Sequence, residues 1–232
     1  RASRKLLRKL AKNARPLVKG EKWKIAIIID ATLHERSSKK ADNVQFFNHG
    51  TGFVWGHQWT SILLLVGDYK IPLPPIPFYS KKYCLEHGIK YVSENQKVTN
   101  FLKNFCLENL FSAEEVLVLM DSGYDDKSIQ KTIISRGWNF ICSLKLNRKI
   151  SVTPNRWERI KDFFQDGRRH WKRLRLSVKS HRKKWCSYQT KHRQGYLKDI
   201  HRQVLLICSR KSKGGVKYFS CSDPKSSPRA VL

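Results

Sequence analysis

Acidic residues and methionine are scarce in this sequence of 232 residues. It has 18 Asp and Glu against 47 Lys and Arg, a formal net charge of +29, and a single Met. Charge of one sign on this scale repels itself, so we expect an anionic partner. No apolar run approaches the ~18–20 residues of a membrane-spanning helix, so such a helix and a membrane partner are excluded. The hydrophobic share of 40% is enough for a core, which excludes a wholly disordered chain.

Cysteine pairs of the CxxC type are also absent. The six cysteines therefore lack zinc-ribbon spacing, and a chain of this length does not need a disulfide framework. Cys106 and Cys142 lie in apolar stretches, which predicts that both are buried. This cysteine usage favours a reducing compartment, so we expect a cytoplasmic protein.

Basic residues are concentrated towards the ends of the chain. Residues 145–232 hold 25 Lys and Arg against five acids, whereas the middle of the chain is close to neutral. This distribution predicts a basic linker helix over 1–22, a core over 23–149 and a basic, β-rich region over 150–232. The chain begins with Arg1 rather than Met, so we expect more chain upstream, although the basic leader also has the composition of a transit peptide.

Short apolar runs predict the strands of a sheet. Residues 25–30 (IAIIID) and 116–121 (VLVLMD) each end in an acid and are typical of strands buried on both faces. The aromatic and branched run 53–66 predicts a third strand, and the prolines of 69–79 confine that segment to a sheet edge. Further strands are predicted over 138–146, 201–209 and 216–222, the last two as a hairpin.

Helix signals alternate with these strands. Ser93 and Gln96 stand at capping-box spacing before an apolar stripe, which predicts a helix starting there. A second helix is predicted over 125–136, ended by Gly137, and a short one over 155–164. The alternation predicts an α/β protein with a mixed sheet and flanking helices.

Asp30 and Asp121 close the two most apolar strands. If those strands are neighbours, the two carboxylates meet at one edge of the sheet and repel each other unless a cation lies between them. Mg²⁺ takes hard oxygen ligands and leaves room for phosphate oxygens, and two such ions can stabilise an in-line phosphoryl displacement. Either Asp alone is more often a loop starter or a helix cap. The pair, on a cationic chain, favours a metal site that acts on nucleic acid.

These segments together resemble a known family. The strings IIIDATLHE, GTGFVWGHQWTSILLLV, IPLPPIPFY and VLMDSGYDDKSIQKTIISRGWNFICSLKLNR are similar to DDE transposases of the insertion-sequence four type, over roughly residues 20–150. Asp30 with Thr32 matches the first acidic motif of that family, and Asp121 with Tyr124 matches the second.

The resemblance implies a fold and an activity. The fold is an RNase H-like catalytic core over 23–149, with residues 150–232 as a basic β-rich insertion. The activity is nicking of DNA and transfer of the freed 3′-hydroxyl, with Asp30 and Asp121 as catalytic ligands of Mg²⁺ or Mn²⁺. The implied partners are transposon ends and target DNA, with a homodimer in the DNA complex. The alternative is an inactive transposase remnant or a non-catalytic nucleic-acid-binding protein.

A third acid is also implied by the resemblance, as a Glu on a late helix with Tyr and Arg before it and Lys after it. No such motif is present, so we expect the chain to stop at Leu232 before that helix. Glu158 is the rival third acid, with 36 residues between it and Asp121. An exposed helix charge near Arg156 and Lys161 is the more common reading of such a residue.

Cations alternate with aromatic residues beyond residue 145. Cations neutralise phosphates and aromatic rings stack on unpaired bases, so this region is predicted to bind DNA with steep salt dependence and little sequence preference. The alternative is a solvated basic surface whose aromatic residues belong to the core. The predicted DNA-binding residues are Arg168, Arg169, Lys172, Arg173, Arg175, Arg182, Lys183 and Lys184.

Overall fold

A computed structural model describes residues 2–48, 52–107, 109–153, 156–165, 170–178, 184–200, 202–211 and 214–232. Its strands are β1 (Ile25–Glu35), β2 (Gln45–Asn48), β3 (Phe53–Val66), β4 (Tyr69–Pro72), β5 (Ile76–Pro77), β6 (Val116–Met120), β7 (Asn139–Ser143), β8 (Lys149–Ser151), β9 (Trp157–Arg159), β10 (Lys172–Val178), β11 (Lys184–Leu197), β12 (Gln203–Lys211) and β13 (Val216–Cys221). Its helices are α1 (Ala2–Lys12), α2 (Lys81–Glu86), α3 (Glu94–Asn104), α4 (Lys127–Ser135), α5 (Ile160–Gln165) and α6 (Pro228–Val231).

All of these strands join one large sheet. Along its main path the order is β2-β3-β1-β6-β7-β13-β12-β11-β8-β9, with β4 and β5 paired to β3 and β10 paired to β11. The pairs β1–β6 and β6–β7 are parallel, and the other pairs are antiparallel. The predicted mixed α/β sheet is therefore confirmed, and antiparallel pairs make up most of it.

Alternation along the central strands places the main core on one face of the sheet. Ile25, Ile27 and Ile29 of β1 are buried in one cluster with alternate residues of β3 and β6. Helices α3 and α4 contribute residues such as Val98 and Ile129 to that cluster. Branched side chains suit this position because they pack well on a pleated surface. The opposite face carries a second, smaller cluster that includes Ala26, Leu117 and Trp23.

The predicted capping box at Ser93 and the predicted helix end at Gly137 are confirmed, and the structure adds a cap at Asp126. Ser93 caps α3 and forms a reciprocal capping box with Gln96. Asp126 caps α4, and its carboxylate accepts hydrogen bonds from the backbone of Ser128 and Ile129. Gly137 follows the end of α4 with φ of +70°, a left-handed conformation that glycine adopts without steric cost.

The structure corrects three local predictions. Residues 155–164 do not form one helix, because Trp157–Arg159 pairs with β8 as a strand before α5 begins. Strand β1 does not end at residue 30, since it pairs with β3 as far as Glu35. Cys106 is exposed just after α3, whereas Cys142 is buried as predicted. The two strand errors have one cause, which is that strand pairing depends on partners distant in sequence.

Two observations concern the predicted division of the chain into linker, core and insertion. Helix α1 lies within the predicted linker of residues 1–22, and its Leu7 is buried in the main core. The sheet continues across the predicted boundary at residue 149, because β13 pairs with β7. The division into linker, core and insertion stays a prediction. In the part of the chain that the structure describes, no helix has the length and apolar character needed to cross a membrane.

Candidate active site

The parallel pairing of β1 with β6 brings the two strand-end acids together. Its register runs from Ile25 beside Val116 to Ile29 beside Met120, so the next residues on the two strands are Asp30 and Asp121. Neighbouring strands lie about 4.8 Å apart, and residues side by side in register share a face of the sheet. Asp30 and Asp121 therefore each follow the last paired residue of their strand at the same end of the parallel pair.

Both aspartates are exposed to solvent. Asp121 also begins a 3-10 turn over Ser122–Tyr124, and its Oδ1 accepts a hydrogen bond of 2.9 Å from the backbone N–H of Gly123. The capping interpretation of Asp121 is thus correct, and one carboxylate oxygen is used in this way. On the other side of Asp30, the hydroxyl oxygens of Thr32 and Ser61 lie 2.7 Å apart.

Tyr124 anchors the turn that carries Asp121. It is buried, and its hydroxyl donates to Oε1 of Glu94, at the start of α3, over 2.7 Å. The same carboxylate accepts from the hydroxyl of Thr60 at 2.8 Å and from the amide of Gln58 at 2.9 Å. Burial raises the pKa of Tyr124 well above its ordinary value, so its hydroxyl stays protonated and available as a donor. Sequence reasoning missed Glu94, because these contacts join strands and helices distant in sequence.

Asp125 forms a second anchor beneath the same turn. Its carboxylate is buried and lies 3.6 Å from Nε of Arg148, while Gln130 donates to it over 3.0 Å. Arg148 in turn donates to the side-chain oxygen of Gln130 at 3.0 Å. Burial raises the pKa of Asp125 above its usual value, and the Arg148 guanidinium opposes that shift. The sequence places Asp125 at the start of the helix predicted over 125–136, whereas in the structure it precedes α4 and its carboxylate is paired inside the fold.

Glu158 lies in strand β9 and not on a helix, which corrects that part of the prediction. Five strands lie between β9 and β6 along the sheet path. Among the described residues, no group of three or more His, Cys, Asp or Glu side chains could hold a metal ion. Asp30 and Asp121 thus form a pair of oxygen donors, and the third acid stays unassigned.

The predicted DNA-binding residues fall into three groups. Lys172, Arg173 and Arg175 are exposed along β10. Lys184 begins β11, and nothing is described of its side chain. The remaining predicted residues lie outside the described part of the chain, namely Arg168, Arg169, Arg182 and Lys183.

Strands β10, β11 and β12 form a basic surface beside the acid-bearing core. A groove of about 580 Å³ is lined by Arg173, Arg210 and Lys211 together with Ser187, Gln189 and Gly214. Arg173 donates to the hydroxyl of Ser187 and Arg210 to the side-chain oxygen of Gln189. The guanidinium of Arg210 also lies 4.2 Å from the ring centre of Trp171. Neutral partners leave the charge of these cations available to an anion.

Comparison with known proteins assigns the chain to a family. Residues 79–221 match the family described as the transposase DDE domain. The matched range includes Asp121 and starts after Asp30. No curated protein matches the chain. Because the family match covers more than half of the sequence, the chain belongs to the DDE transposase domain family.

Proposed function

We propose that this chain is the catalytic domain of a DNA transposase of the insertion-sequence four type, which nicks DNA and transfers the freed 3′-hydroxyl to a target. The observation that carries the proposal is the parallel register of β1 with β6, in which Asp30 and Asp121 each follow the last paired residue of their strand. Their carboxylates are exposed, whereas the protein as a whole has a net charge of +29. A concentrated negative site on such a protein is explained by a metal ion that is shared with DNA phosphate.

The donor chemistry of the pair fits Mg²⁺ or Mn²⁺. Mg²⁺ is commonly held by one or two carboxylates, with water and substrate phosphate oxygens as its other ligands. Asp30 and Asp121 would hold the ion, and the second oxygen of Asp121 would stay bonded to Gly123. When bound, the ion would supply charge stabilisation at the phosphate and a stronger nucleophile.

The rest of the chain would orient the DNA strand and the acids. Tyr124 and Glu94 fix the turn that follows β6, so the Asp121 carboxylate is held where β1 ends its pairing with β6. Exposed cations of β10 would neutralise the phosphates of the bound duplex. An RNase H-like assignment of the fold is supported by the sheet, in which antiparallel β3 and β1 are followed by parallel β6 and β7.

A plasmid nicking assay tests the proposed chemistry. We expect nicking that requires Mg²⁺ or Mn²⁺ and falls at least about 10²-fold in Asp30→Asn and in Asp121→Asn, because each removes a charged metal ligand. Glu86→Gln is the matched control, since Glu86 is an exposed carboxylate on α2 that pairs with Lys82. Unchanged nicking in both Asp variants, or an equal loss in the control, would contradict the assignment.

A second candidate function is a nucleic-acid-binding protein that keeps the fold without the chemistry. It is favoured by one observation, the lack of a third potential metal ligand beside the pair in the described residues. Salt-dependent DNA binding with no metal-dependent nicking would support it. A Glu158→Gln variant tests the rival third acid, and the position of Glu158 in β9 predicts that nicking is unchanged.

A further inference from the structure

Strand β1 continues past the acidic pair. Strand β6 ends at Met120, whereas β1 runs on from Asp30 to Glu35 and stays paired with β3. Strand β2 pairs with the start of β3 on the other side. These three strand segments form a ribbon that extends beyond the core sheet from the point where Asp30 lies.

One face of this ribbon carries aromatic residues at alternate positions of β3. Phe53, Trp55, His57 and Trp59 are followed at the same spacing by Ser61, which pairs with Asp30. Because alternate residues of a strand share a face, these rings lie on the face of Asp30. The residues between them include Thr60, which is buried on the opposite face.

Two of the rings, those of Phe46 and Phe53, stack on each other and are exposed to solvent, whereas Trp55 and Trp59 are half-buried. Phe46 of β2 lies 4.9 Å from Phe53 in a stacked arrangement and 5.1 Å from Trp55, measured between ring centres. Phe46 is 54% exposed and Phe53 is 62% exposed. We name Phe46, Phe53, Trp55 and Trp59 the aromatic stripe. An exposed apolar cluster of this kind is typical of an interaction surface.

Cations border the aromatic stripe. Nζ of Lys39 lies 5.7 Å from the ring centre of Trp55. Nε of Arg36 donates to Nδ1 of His57 over 3.2 Å, and Lys40 is exposed close by in sequence. Two acids are also near, Glu35 at the end of β1 and Asp42, whose carboxylate accepts from Tyr83. Positive charge is therefore in modest excess beside rings that are open to solvent.

The stripe begins close to the acidic pair. At about 3.3 Å per residue along a strand, Trp59 is about 7 Å from Ser61 and Phe53 about 26 Å. A strand of DNA held at Asp30 could follow the ribbon over that distance. Bases in a duplex are already stacked and paired, so exposed rings match unpaired bases better than paired ones.

We propose that the aromatic stripe binds unpaired nucleotides of a DNA strand next to Asp30 and Asp121. Their bases stack on the rings of Phe46, Phe53 and Trp55, and their phosphates lie against Arg36, Lys39 and Lys40. The proposal rests on the proposed function for its choice of DNA as the partner. A second copy of the chain is a poorer occupant, because two molecules of net charge +29 repel each other.

Fluorescence anisotropy with labelled DNA tests this surface without metal and so without nicking. The variant is the double substitution Phe46→Thr with Phe53→Thr, because threonine suits exposed strand positions. We expect its affinity for a single-stranded oligonucleotide to fall about tenfold or more, and its affinity for the duplex of the same sequence to change less than about twofold. Tyr69→Thr is the matched control, since Tyr69 is 61% exposed on β4 and pairs with Val66 at the far end of β3.

Each of the other outcomes overturns the proposal. Equal losses on single strand and duplex would show a general DNA contact, and equal losses in Tyr69→Thr would show that the position of the rings does not matter. A dimer in light scattering that the double variant converts to a monomer would identify the stripe as a contact between copies. None of these measurements uses nicking. If the proposal for the aromatic stripe fails, the assignment of Asp30 and Asp121 is therefore still tested separately by the plasmid nicking assay.

Discussion

Positive charges have different partners in two parts of the sheet. Near α4 and β7, the side chain of Arg148 is 16% exposed and lies against the carboxylate of Asp125, which is 1% exposed. On β10 and β12, Arg173 is exposed and Arg210 is half-buried, and both donate to neutral oxygens. Among the described residues, no acid lies within ion-pair distance of these two arginines. The first group therefore stabilises the fold, whereas the second is available to a polyanion.

The largest expected effect on stability comes from removing the buried cation. Arg148→Met leaves the carboxylate of Asp125 without its counter-charge, which costs about 3–5 kcal/mol of unfolding free energy at neutral pH. Since burial raises the pKa of Asp125 in the folded state, this carboxyl favours folding most at low pH, and its contribution declines as pH rises through the raised value. The loss in Arg148→Met should therefore shrink towards acid pH. Urea unfolding at several pH values measures it.

Arg159→Met is the control for Arg148→Met. Arg159 forms an exposed pair with Asp162 at 3.6 Å, and such pairs contribute about 0–1 kcal/mol. Similar losses for the two substitutions would remove the distinction between paired structural cations and surface cations.

The surface cations should affect DNA binding strongly and the stability of the fold only slightly. In a triple variant with Lys172, Arg173 and Arg175 changed to Gln, the salt dependence of DNA binding should weaken by about 0.9 log units of slope per lost phosphate contact, up to about 2.7. At 0.1 M salt this lowers affinity by up to about 500-fold, with little change in unfolding free energy. Titrations at several salt concentrations measure the slope. A triple Gln variant of Lys5, Lys9 and Lys12, exposed on α1, removes the same charge, and an equal loss there would show that only net charge matters.

A smaller effect is expected at the turn after β6. Tyr124→Phe removes the hydroxyl that donates to Glu94 and should cost about 0.5–1.5 kcal/mol of unfolding free energy. If the turn positions Asp121, nicking should fall severalfold at saturating metal, while DNA affinity is unchanged. Tyr83→Phe is the control, because the hydroxyl of Tyr83 meets the exposed Asp42 at 3.3 Å. Reduced DNA affinity in Tyr124→Phe would contradict a role confined to the acidic site.

Local signals in the sequence predicted much of the fold. The apolar runs before Asp30 and Asp121 indicated the two central strands, and the spacing of Ser93 and Gln96 located the start of α3. The hairpin of β12 with β13 followed from its flanking apolar runs and is confirmed. These features depend on residues close in sequence, which is why single-sequence reasoning finds them.

Features that depend on distant partners were not predicted. The segment after Asp30 is polar enough to resemble a loop, yet it is a strand because β3 provides hydrogen bonds as far as Glu35. Glu94 has the pattern of an ordinary helix-start acid, and only the fold shows that it receives hydrogen bonds from Thr60 and Tyr124. The adjacency of the strands that carry Asp30 and Asp121 was a condition of the site prediction, and β1 and β6 are parallel neighbours. The role of the pair stays a prediction.

The shared register of β1 and β6 has a consequence for how this chain tolerates change. Slipping a strand by one residue turns each of its side chains to the other face. One residue added or deleted within Ile25–Ile29 would turn isoleucines from the main core to the opposite face, and in the same step it would shift Asp30 relative to Asp121. The same insertion or deletion would therefore both disrupt the core packing and separate the two acids. A surface loop accepts small insertions, but at these five positions an insertion would abolish both folding and the proposed activity.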